Sequence, residues 1–581
     1  MKKNNGFFRQ TFALISVGNR SALIWLMLLA LVSGVMGAIG VGSILPFIAV
    51  VTNPGVIDSN VFLHTAFNFI GVSRNHFMIL LGVFFLLVTV ATNAVGALNV
   101  FMIARFTGKV NYTLSSSLLK NIMERPYHFF MKANTAELSA IILSYTRQIS
   151  DGIISPLLTT TTTAISALFI IGVLVWVSPA VTFFVVLIVA PAYGLVYILV
   201  RNRLNHFGAD YALADRMRYR AVNEALSGIK DLKILDRTDS MAECFEGALR
   251  KQVKAQVGST SLSNLPKYLV ETLGVTTIIG LILWKLGSGN SGPAISLAAL
   301  YTYAGYRLLP SAQAMFLAFS AIKYNAISVA AVSDELLNTE KDISSREAHG
   351  EDVNMLRSKL SLKDISYSYP DAESPALEAI TIDIPVGSHV GFVGRSGSGK
   401  STLLDIIAGL IYPERGGVYI DDALLSKYQL AAWRKKIGYV PQFVFLSDAS
   451  VMENIAFGIS PGLIDEEKVI AAAQVAQIHE FISSLPTGYK TEVGERGIRL
   501  SGGQRQRIGI ARAVYHGPEL IMLDEATNSL DMATEEGFTE TIKSLSGKTT
   551  IITVAHRINT VRYCDKIYVL NKGRIAAQGT Y

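Results

Sequence analysis

The stretch Gly394-Arg-Ser-Gly-Ser-Gly399-Lys400-Ser401 decides what the C-terminal part of this chain can be. It follows an apolar, strand-like segment, residues 389–393, and precedes residues 402–410, which have helical character. Glycines let backbone N–H groups approach a phosphate, and the N-terminus of a helix adds positive potential. The stretch therefore predicts a phosphate-binding loop in which Lys400 reaches the β- and γ-phosphates and Ser401 binds Mg²⁺.

Two further apolar segments end in residues that suit the same chemistry. Leu520-Ile-Met-Leu-Asp524-Glu525 ends in two carboxylates. The first fits Mg²⁺ binding, and the second fits a general base that polarises the attacking water. Ile551-Ile-Thr-Val-Ala-His556 ends in a histidine, which we expect to contact the γ-phosphate.

Three more elements extend the predicted nucleotide site. Gln442 follows the strand-like segment 437–440 and can reach Mg²⁺ and the water. Tyr369 is placed to stack on adenine, although it could instead be an aromatic residue of a β-strand core. In Leu500-Ser-Gly-Gly-Gln504, the Ser501 hydroxyl and the following N–H groups open a helix, 505–514, whose N-terminus suits an anionic γ-phosphate.

In this order the motifs resemble the ATP-binding cassette (ABC) family over residues 360–581, including a D-loop at Ser529-Leu-Asp531. Asn528 departs mildly from the family, which often has Ser there. The resemblance implies an α/β ATPase that uses ATP and Mg²⁺, with two cassettes paired head to tail. The implied nucleotide contacts are Tyr369, Gly394, Arg395, Ser396, Gly397, Ser398, Gly399, Lys400, Ser401, Thr402, Ser501, Gly502, Gly503 and Gln504. The implied catalytic group is Glu525, His556 and Gln442, and the implied metal ligands are Ser401, Gln442 and Asp524.

The N-terminal part of the chain is far more apolar than a soluble domain. Only 17% of the 581 residues are charged, against about 25% in ordinary soluble chains. About 20 apolar residues cross a bilayer. Six segments are long enough: 22–51, 77–103, 152–178, 180–200, 264–286 and 295–322. The first is too long for the apolar core of a signal peptide, so we expect an α-helical membrane domain.

Basic residues predict how these segments cross the membrane. They concentrate before the first segment and in the long connections after the second and fourth, whereas the opposite loops carry little beyond Arg74. By the positive-inside rule, both termini and the long connections are cytoplasmic. This accounts for the net charge of +7 without a nucleic-acid partner. We expect the helices to continue into the cytoplasm, with transverse helices near 126–137 and 224–233, Asn134 as an N-cap and a surface helix before the first span.

These patterns predict three regions: a transmembrane domain, 1–325, a linker, 326–355, and a nucleotide-binding domain, 356–581. Cys244 and Cys564 have no metal-ligand neighbours in sequence, which indicates free thiols in a reducing compartment. A six-span domain fused to one cassette resembles half of an ABC exporter, so a second copy of the chain is expected to complete a homodimer in the bacterial cytoplasmic membrane. Such cassettes usually continue beyond Tyr581, which suggests a truncated C-terminus.

Weaker resemblances concern what is transported. The strings around Leu45-Pro46-Phe47, Leu265-Pro266-Lys267 and Tyr306-Arg307-Leu308 resemble bacterial lipid-linked oligosaccharide flippases. Lys267 and Arg307 are basic residues within or near spans, where charges usually face a cavity or a partner. Snorkelling to the membrane surface, or pairing with a local carboxylate such as Glu271, is the alternative for these two residues. Helix 59–70, with Ser59 as its cap and Leu63, Ala66, Phe67 and Ile70 on one face, is expected to contact the lipid tail.

Other functions remain open from the sequence. A multidrug or lipid A exporter would have the same motifs, but a multidrug pump predicts an aromatic, weakly charged cavity. A soluble cassette ATPase that acts on DNA or ribosomes is excluded by the six apolar segments. A gated channel or regulator would tolerate loss of Glu525 or of the signature, and both are intact.

Overall fold

The computed structural model describes residues 20–287, 291–343, 352–353, 355–369, 372, 374–526, 540, 542–543, 545–555 and 558–581. The chain divides into two compact units. The helical unit comprises residues up to Arg125 and Lys132–Ile343, and the cassette unit comprises Pro126–Met131 and the residues from Ser344 onward. The segment predicted as a linker, 326–355, begins with a helix, Ala326–Ile343. The ranges of the three predicted regions remain predictions. The expected surface helix before the first span lies outside the described residues.

The N-terminal part of the chain is helical. In chain order its helices are α1 (Arg20–Thr52), α2 (Val56–Ser59), α3 (Val61–Ile70), α4 (Arg74–Met123), α5 (Tyr127–Lys132), α6 (Thr135–Ala140), α7 (Thr146–Ile149), α8 (Ser155–Val177), α9 (Pro179–Ser227), α10 (Ile229–Ile234), α11 (Thr238–Gly287), α12 (Ser291–Tyr324) and α13 (Ala326–Ile343). All of α5 except Lys132 belongs to the cassette unit, and the other helices build the helical unit. π-Helical turns at Ile141–Tyr145 and Ser150–Ile154 flank α7. Helix α4 has 50 residues and is therefore about 75 Å long at 1.5 Å per residue, which extends well beyond a bilayer core.

The apolar helices agree in part with the six predicted spans. Within the described residues, three helical stretches are long and apolar enough to cross a membrane: Ser21–Thr52, Arg74–Met123 and Thr135–Val177. A fourth consists of Ala299–Tyr324 and Ala326–Leu336, which are bent by 50° at the break between them. Helices α9 and α11 contain the remaining predicted segments, 180–200 and 264–286, and these two spans remain predictions.

The expected short helices at the ends of the long ones are present. Helices α5 and α6 occupy the region predicted near 126–137, and α10 occupies the end of the region near 224–233. The Asn134 side chain accepts hydrogen bonds from the backbone N–H groups of Ala136 and Glu137, which confirms it as the N-cap of α6. Its carboxamide satisfies two N–H groups that the first turn of a helix leaves without partners.

Helix α3 forms where expected, but two details of the prediction were wrong. Its N-cap is Asn60, not Ser59, and the Asn60 side chain accepts from the N–H groups of Phe62 and Leu63. Leu63 and Phe67, assigned to the lipid-facing side, pack instead against Val50, Ile57 and Phe77. The exposed apolar side chains include Val61, Phe62 and Phe69, and Phe62 and Phe69 are 85% and 92% exposed. Helix α3 is apolar on both sides, and periodicity alone could not tell which side the preceding loop covers.

A buried ion pair joins Arg125, two residues after the end of α4, to α13 in the helical unit. Arg125 Nη1 lies 2.8 Å from Glu335 Oε1, with only 3% of the Arg125 side chain exposed. Arg125 Nη2 also donates to the backbone oxygen of Glu335, at 2.9 Å. Around this pair, residues of α1, α4, α8 and α13, such as Leu26, Leu118 and Val332, share one buried apolar cluster.

The cassette unit contains two sheets. Its strands are β1 (Lys359–Tyr367), β2 (Leu377–Pro385), β3 (His389–Gly394), β4 (Arg415–Ile420), β5 (Ala423–Leu424), β6 (Ile437–Val440), β7 (Leu520–Asp524), β8 (Thr550–Ala555), β9 (Lys566–Asn571) and β10 (Arg574–Gly579). The first sheet has the order β2-β1-β4-β5, and its described pairs are antiparallel. The second has the order β10-β9-β3-β8-β7-β6, and its strands from β9 to β6 are parallel.

Helices cover these sheets: α14 (Lys400–Ile407), α15 (Leu430–Arg434), α16 (Val451–Ile455), α17 (Glu466–Val475), α18 (His479–Ser484) and α19 (Gly502–Val514). Trp433 is fully buried, and its indole N–H donates to the backbone oxygen of Ile407 at 2.7 Å. The continuous apolar strands β7 and β8 are buried, as strands in the middle of a parallel sheet require. Cys244 is exposed and Cys564 is buried, and both are free, as predicted.

We predict that Arg125→Ala destabilises the helical unit by about 3–5 kcal/mol, because Glu335 would remain largely buried without its guanidinium. The measurement is the thermal unfolding of the detergent-solubilised full chain. Arg147→Ala is the matched control, since the Arg147–Asp151 pair is exposed and is worth only about 0–1 kcal/mol. Equal melting temperatures for the two variants would contradict a stabilising role for the buried pair.

Candidate functional site

The parallel sheet brings the predicted ATP-site residues to one edge. Strands β3, β8, β7 and β6 lie side by side, with Val393 beside Ala555 and Val440 beside Leu523. The phosphate loop follows β3, Asp524 ends β7, and Gln442 follows β6 by two residues. Since the strands are parallel, their carboxyl ends share an edge, which is where α/β proteins bind ligands.

The phosphate loop has the backbone geometry that its glycines predict. Gly399 has φ of 100°, and a Cβ there would lie 2.6 Å from the backbone oxygen of Ala376, so only glycine fits. Lys400 is the first residue of α14, and its Nζ donates to the backbone oxygens of Gly394, at 2.9 Å, and Arg395, at 3.1 Å. Burial lowers the pKa of Lys400, and the carboxylates of Glu525 and Asp524 oppose that shift.

Glu525 and Gln442 contact each other at the edge of the sheet. Gln442 Nε2 donates to Glu525 Oε2 at 2.8 Å. Glu525 has φ of 48°, a conformation that costs a non-glycine residue on the order of 1–3 kcal/mol. Its N–H donates to the Val554 backbone oxygen at 3.0 Å, which links the turn after β7 to β8. Glu525 is therefore held in place by one hydrogen bond from its backbone N–H and one to its carboxylate.

Three side chains beside this edge were missed in the sequence. Burial and then the nearby Asp524 raise the pKa of Asp405 on α14 to about 6. The Tyr439 hydroxyl donates to Asp524 Oδ2 at 3.3 Å. Burial and then the carboxylate of Asp405 raise the pKa of Tyr127, in the segment that belongs to the cassette unit. The signal for Asp405 is an acidic residue inside an otherwise apolar helix; nothing local marks the two tyrosines.

Tyr369 lies against the phosphate-loop helix. Its hydroxyl is 3.0 Å from the Thr402 hydroxyl, its ring meets that of Tyr367 edge to face, and it packs against the cassette core. Tyr369 therefore makes the core contact that was the alternative to stacking on adenine. Its contact with Thr402 also places the ring next to the phosphate loop. Stacking on adenine remains a prediction.

The signature forms a capped helix N-terminus. Helix α19 begins at Gly502, earlier than the predicted 505. The Ser501 hydroxyl accepts from the Gln504 N–H at 3.2 Å, and the Gln504 side chain accepts from the Ser501 N–H at 2.8 Å. Both side chains are therefore ordered by this capping box, and the exposed N-terminus carries the positive potential that suits a phosphate.

Arg512, near the end of α19, was also missed. Its guanidinium donates to the backbone oxygens of Phe445 and Asn454, both at 2.9 Å, and lies 4.6 Å from the centre of the Phe457 ring. Burial lowers the pKa of Arg512 to about 10. This residue fastens the loop after Gln442 to the signature helix.

Two predicted elements of the nucleotide site cannot be placed. His556 and the D-loop, 529–531, lie outside the described residues. Strand β8 ends at Ala555 between β3 and β7, so the backbone that leads to His556 does reach the shared edge.

The helical unit contains an elongated cavity of about 650 Å³. Helices α1, α4, α8 and α12 line it together with the π-turn at Ser150–Ile154. On α4 the lining runs from Thr92 to Gly108, roughly 24 Å along a helix. Most of the polar lining consists of hydroxyl and amide side chains: Ser33, Thr92, Asn93, Asn99, Thr107, Ser155, Thr159, Thr162, Thr163, Ser166 and Ser311.

Arg307 lines the cavity at its Asn93 end. Its Nη1 donates to Asn93 Oδ1 and its Nη2 to the Tyr303 hydroxyl, both at 3.2 Å. Lys267 is not among the described lining residues. It is exposed, with its Nζ 5.8 Å from the centre of the Tyr268 ring. The structure therefore brings one of the two predicted substrate residues to the cavity.

Aromatic rings lie beside Arg307. Tyr303, which accepts from Arg307, meets Phe85 edge to face at 5.5 Å, and Phe85 stacks with Phe47 at 6.5 Å. Asp151 lines the cavity and pairs with Arg147 at 3.4 Å.

Comparisons with known proteins agree with this architecture. The family "ABC transporter transmembrane region" matches residues 20–292, and the family "ABC transporter" matches residues 377–528. The helical unit thus matches the membrane domain of ABC transporters, and the cassette unit matches their ATP-binding domain. The fold is a helical transmembrane domain fused to a C-terminal α/β cassette, and the enzyme activity is ATP hydrolysis coupled to transport.

Two relatives and one solved structure are similar to this chain over most of its length. The chain is 33% identical over 366 residues to the uncharacterised ABC transporter ATP-binding protein YknU of Bacillus subtilis, a match that covers 62% of this chain and 61% of YknU. It is 27% identical over 512 residues, 87% of each chain, to a putative multidrug export ATP-binding/permease protein of Staphylococcus aureus. The solved structure of a bacterial Atm1-family ABC exporter with ATP bound has the same fold, with a TM-score of 0.77 and 22% identity, over 97% of this chain and 95% of that chain.

We predict that Glu525→Gln keeps ATP binding but lowers steady-state hydrolysis by about 10²-fold or more, as expected for loss of a general base. The amide keeps the shape of the side chain but cannot accept a proton. ATP binding and phosphate release are measured on the purified full chain in lipid nanodiscs. Glu467→Gln, an exposed residue of α17, is the control and should retain turnover. Normal turnover of Glu525→Gln would remove Glu525 as the base.

Proposed function

We propose that this half-transporter moves a lipid-linked oligosaccharide, a polyprenyl-diphosphate glycan, across the bacterial cytoplasmic membrane. The observation that carries the proposal is the position of Arg307 in a cavity whose polar lining groups are mostly hydroxyls and amides. Such a lipid has an anionic diphosphate between a polar glycan and a long apolar tail. Arg307 would pair with the diphosphate while the cavity takes the glycan.

The energetic reason is the high cost of moving an unpaired charge or polar group through hydrocarbon. A guanidinium binds phosphate oxygens in two places at once, whereas an ammonium acts as a point charge. The hydrogen bonds to Asn93 and Tyr303 hold the Arg307 guanidinium in one orientation, which reduces the entropy lost on binding. We keep Lys267 in the proposal as a second basic group, which could approach the substrate at an exposed surface.

The apolar tail can remain in the lipid, where an exposed helix surface suffices to contact it. Helix α3 presents Phe62 and Phe69 at its surface, so we assign the tail contact to these two residues in place of Leu63 and Phe67. The aromatic rings offer a large apolar area with few rotatable bonds, which favours binding of a flexible chain.

We also propose the roles of the ATP-site residues. The residues of the phosphate loop and Tyr369 bind ATP, Glu525 activates the water, and His556 contacts the γ-phosphate. Within the described part of the chain, no group of three or more His, Cys, Asp or Glu residues could hold a metal ion. The donors at the sheet edge are the Ser401 hydroxyl, the Asp524 carboxylate and the Gln442 amide. These suit Mg²⁺, which takes few protein ligands and relies on phosphates and water. When bound, Mg²⁺ would neutralise charge on the phosphates.

The cassette requires a partner. The signature helix has an exposed N-cap, Ser501, followed by half-buried Gly502 and Gly503, and such an N-terminus suits a phosphate. Each chain supplies one signature and one phosphate loop. We propose a homodimer in which the signature residues Ser501, Gly502, Gly503 and Gln504 of one chain face the ATP held by the other.

Multidrug export is the second candidate, and the printed names of the Staphylococcus aureus relatives favour it. A pump for hydrophobic drugs predicts an aromatic, weakly charged cavity. The aromatic rings of Phe47, Phe85 and Tyr303 lie beside Arg307, but the hydroxyl and amide lining of the cavity favours a polar head group. A lipid A exporter shares the anionic head group, so only a comparison of substrates separates it from a glycan flippase.

We predict that two inactive chains complement each other when mixed. A Lys400→Ala chain and a Ser501→Arg chain would form mixed dimers with one doubly damaged site and one intact site, so part of the ATPase activity returns. Each variant alone should stay inactive over the same range of protein concentrations. Nucleotide occlusion is measured on co-expressed, doubly tagged dimers. Absence of occlusion in the isolated mixed dimer would contradict the head-to-tail arrangement.

We predict that Arg307→Gln together with Lys267→Gln lowers transport of a lipid-linked oligosaccharide in proteoliposomes by about tenfold or more, since a charge-assisted hydrogen bond contributes about 1.5–3 kcal/mol. Arg250→Gln, whose side chain is 82% exposed, is the control and should transport normally. Parallel assays use lipid A and a hydrophobic cation. Normal transport by the double variant, or transport of the other substrates alone, would overturn the proposal.

A further inference from the structure

Tyr439 lies beside the predicted metal ligand Asp524 at one end of the parallel sheet. Strand β6 is the last strand in the sheet order, and its Tyr439 is in register with Met522 of β7. Side chains two residues apart on a strand lie on the same face, so Asp524 shares this face and is about 6.6 Å further along. The Tyr439 side chain is long enough to reach it, and its hydroxyl donates to Asp524 Oδ2 at 3.3 Å.

The shared face is the one that the phosphate-loop helix covers. Met522 belongs to the same buried cluster as Leu403 of α14. The next residue, Leu523, belongs instead to the cluster that contains residues of α19. Because faces alternate along a strand, Asp524 and Tyr439 lie on the α14 side of the sheet, where the phosphate loop leads into that helix.

The Tyr439 hydroxyl remains protonated and can therefore act as a donor. Burial, and then the carboxylates of Asp524 and Asp405, raise the pKa of Tyr439. A phenol has one hydrogen to donate, and in this structure Asp524 accepts it. Tyr439 as a whole is 41% exposed, so it contributes less to the apolar core than a fully buried residue of the same size. The hydroxyl is thus the part of the residue that is best placed for a specific role.

We propose that Tyr439 is a positioning residue for ATP hydrolysis, whose hydroxyl fixes the orientation in which the Asp524 carboxylate binds Mg²⁺. The inference rests on the proposed role of Asp524 as a metal ligand and does not depend on the transported substrate. Carboxylates that bind metals are usually held by hydrogen bonds from neighbouring groups, and the loss of such a bond weakens metal binding. Because Mg²⁺ requires near-ideal octahedral geometry, a carboxylate that rotates more freely binds it less tightly.

The test measures how strongly Mg²⁺ tightens the binding of ATP. The dissociation constant of ATP is determined for the full chain in lipid nanodiscs, once with EDTA and once with excess Mg²⁺, and the ratio of the two constants is the readout. Every chain, including the parent, carries Glu525→Gln so that hydrolysis does not consume the ATP. Tyr439→Phe removes only the hydroxyl, and Asp524→Asn removes the charge of the proposed ligand. Tyr428→Phe is the matched control, because Tyr428 is an exposed tyrosine of the same unit.

We expect Tyr439→Phe to lower this ratio by about three- to tenfold, since a bond of 3.3 Å is long for a charged acceptor and places the effect near the low end for such partners. Asp524→Asn should lower the ratio further, and Tyr428→Phe should leave it unchanged. ATP affinity in EDTA should be the same for Tyr439→Phe as for the parent, which also shows that the variant folds.

Two results would contradict the inference, and they differ in what they leave standing. If Asp524→Asn lowers the ratio and Tyr439→Phe does not, or if Tyr439→Phe weakens ATP binding equally with and without Mg²⁺, Tyr439 does not position the ligand, and the role of Asp524 stands. If Asp524→Asn leaves the ratio unchanged, the proposed metal ligand is itself wrong, and the inference is wrong with it.

Discussion

The parallel pairing of β3, β8, β7 and β6 is the constraint on which the ATP site depends. The phosphate loop, Gln442 and the two carboxylates at the end of β7 come from segments spread over more than 120 residues of sequence. Only a fixed register, such as Val440 beside Leu523, brings their side chains within hydrogen-bonding distance. The register is in turn fixed by strands that are apolar on both faces, because a slip would expose buried backbone groups without partners.

A related constraint acts in the helical unit. Hydrocarbon offers no hydrogen-bond partners, so each backbone group must be satisfied within its own helix. Threonine hydroxyls in such helices donate to the carbonyl oxygens three or four residues earlier, as Thr107, Thr162 and Thr163 do. Because these three hydroxyl hydrogens are bound to backbone oxygens, the same threonines can only accept hydrogen bonds from a molecule in the cavity.

Much of the fold follows from the sequence because the decisive signals are local. The glycines of the phosphate loop, Asn134 as an N-cap and the apolar strands β7 and β8 depend only on their neighbours, and the structure has them where they were predicted. The prediction of which face of α3 is exposed was wrong, because the buried face is determined by contacts with Ile57 and Phe77, which lie outside that helix. Asp405 and Arg512 were missed for the same reason: the partners that make them notable, Asp524 and Phe445, are distant in sequence.

The contacts of Arg512 show how the two halves of the ATP site are mechanically linked within one chain. The signature helix donates through Arg512 to the backbone of Phe445, three residues after Gln442, and Gln442 donates to Glu525. Because the half-buried Arg512 side chain donates to two backbone oxygens, rotation of α19 must either carry the loop with it or break two charge-assisted hydrogen bonds, at a cost of several kcal/mol. Movement of the loop together with α19 therefore costs less free energy than breaking these hydrogen bonds. Any ligand that moves the signature helix therefore also acts on the amide that contacts the Glu525 carboxylate.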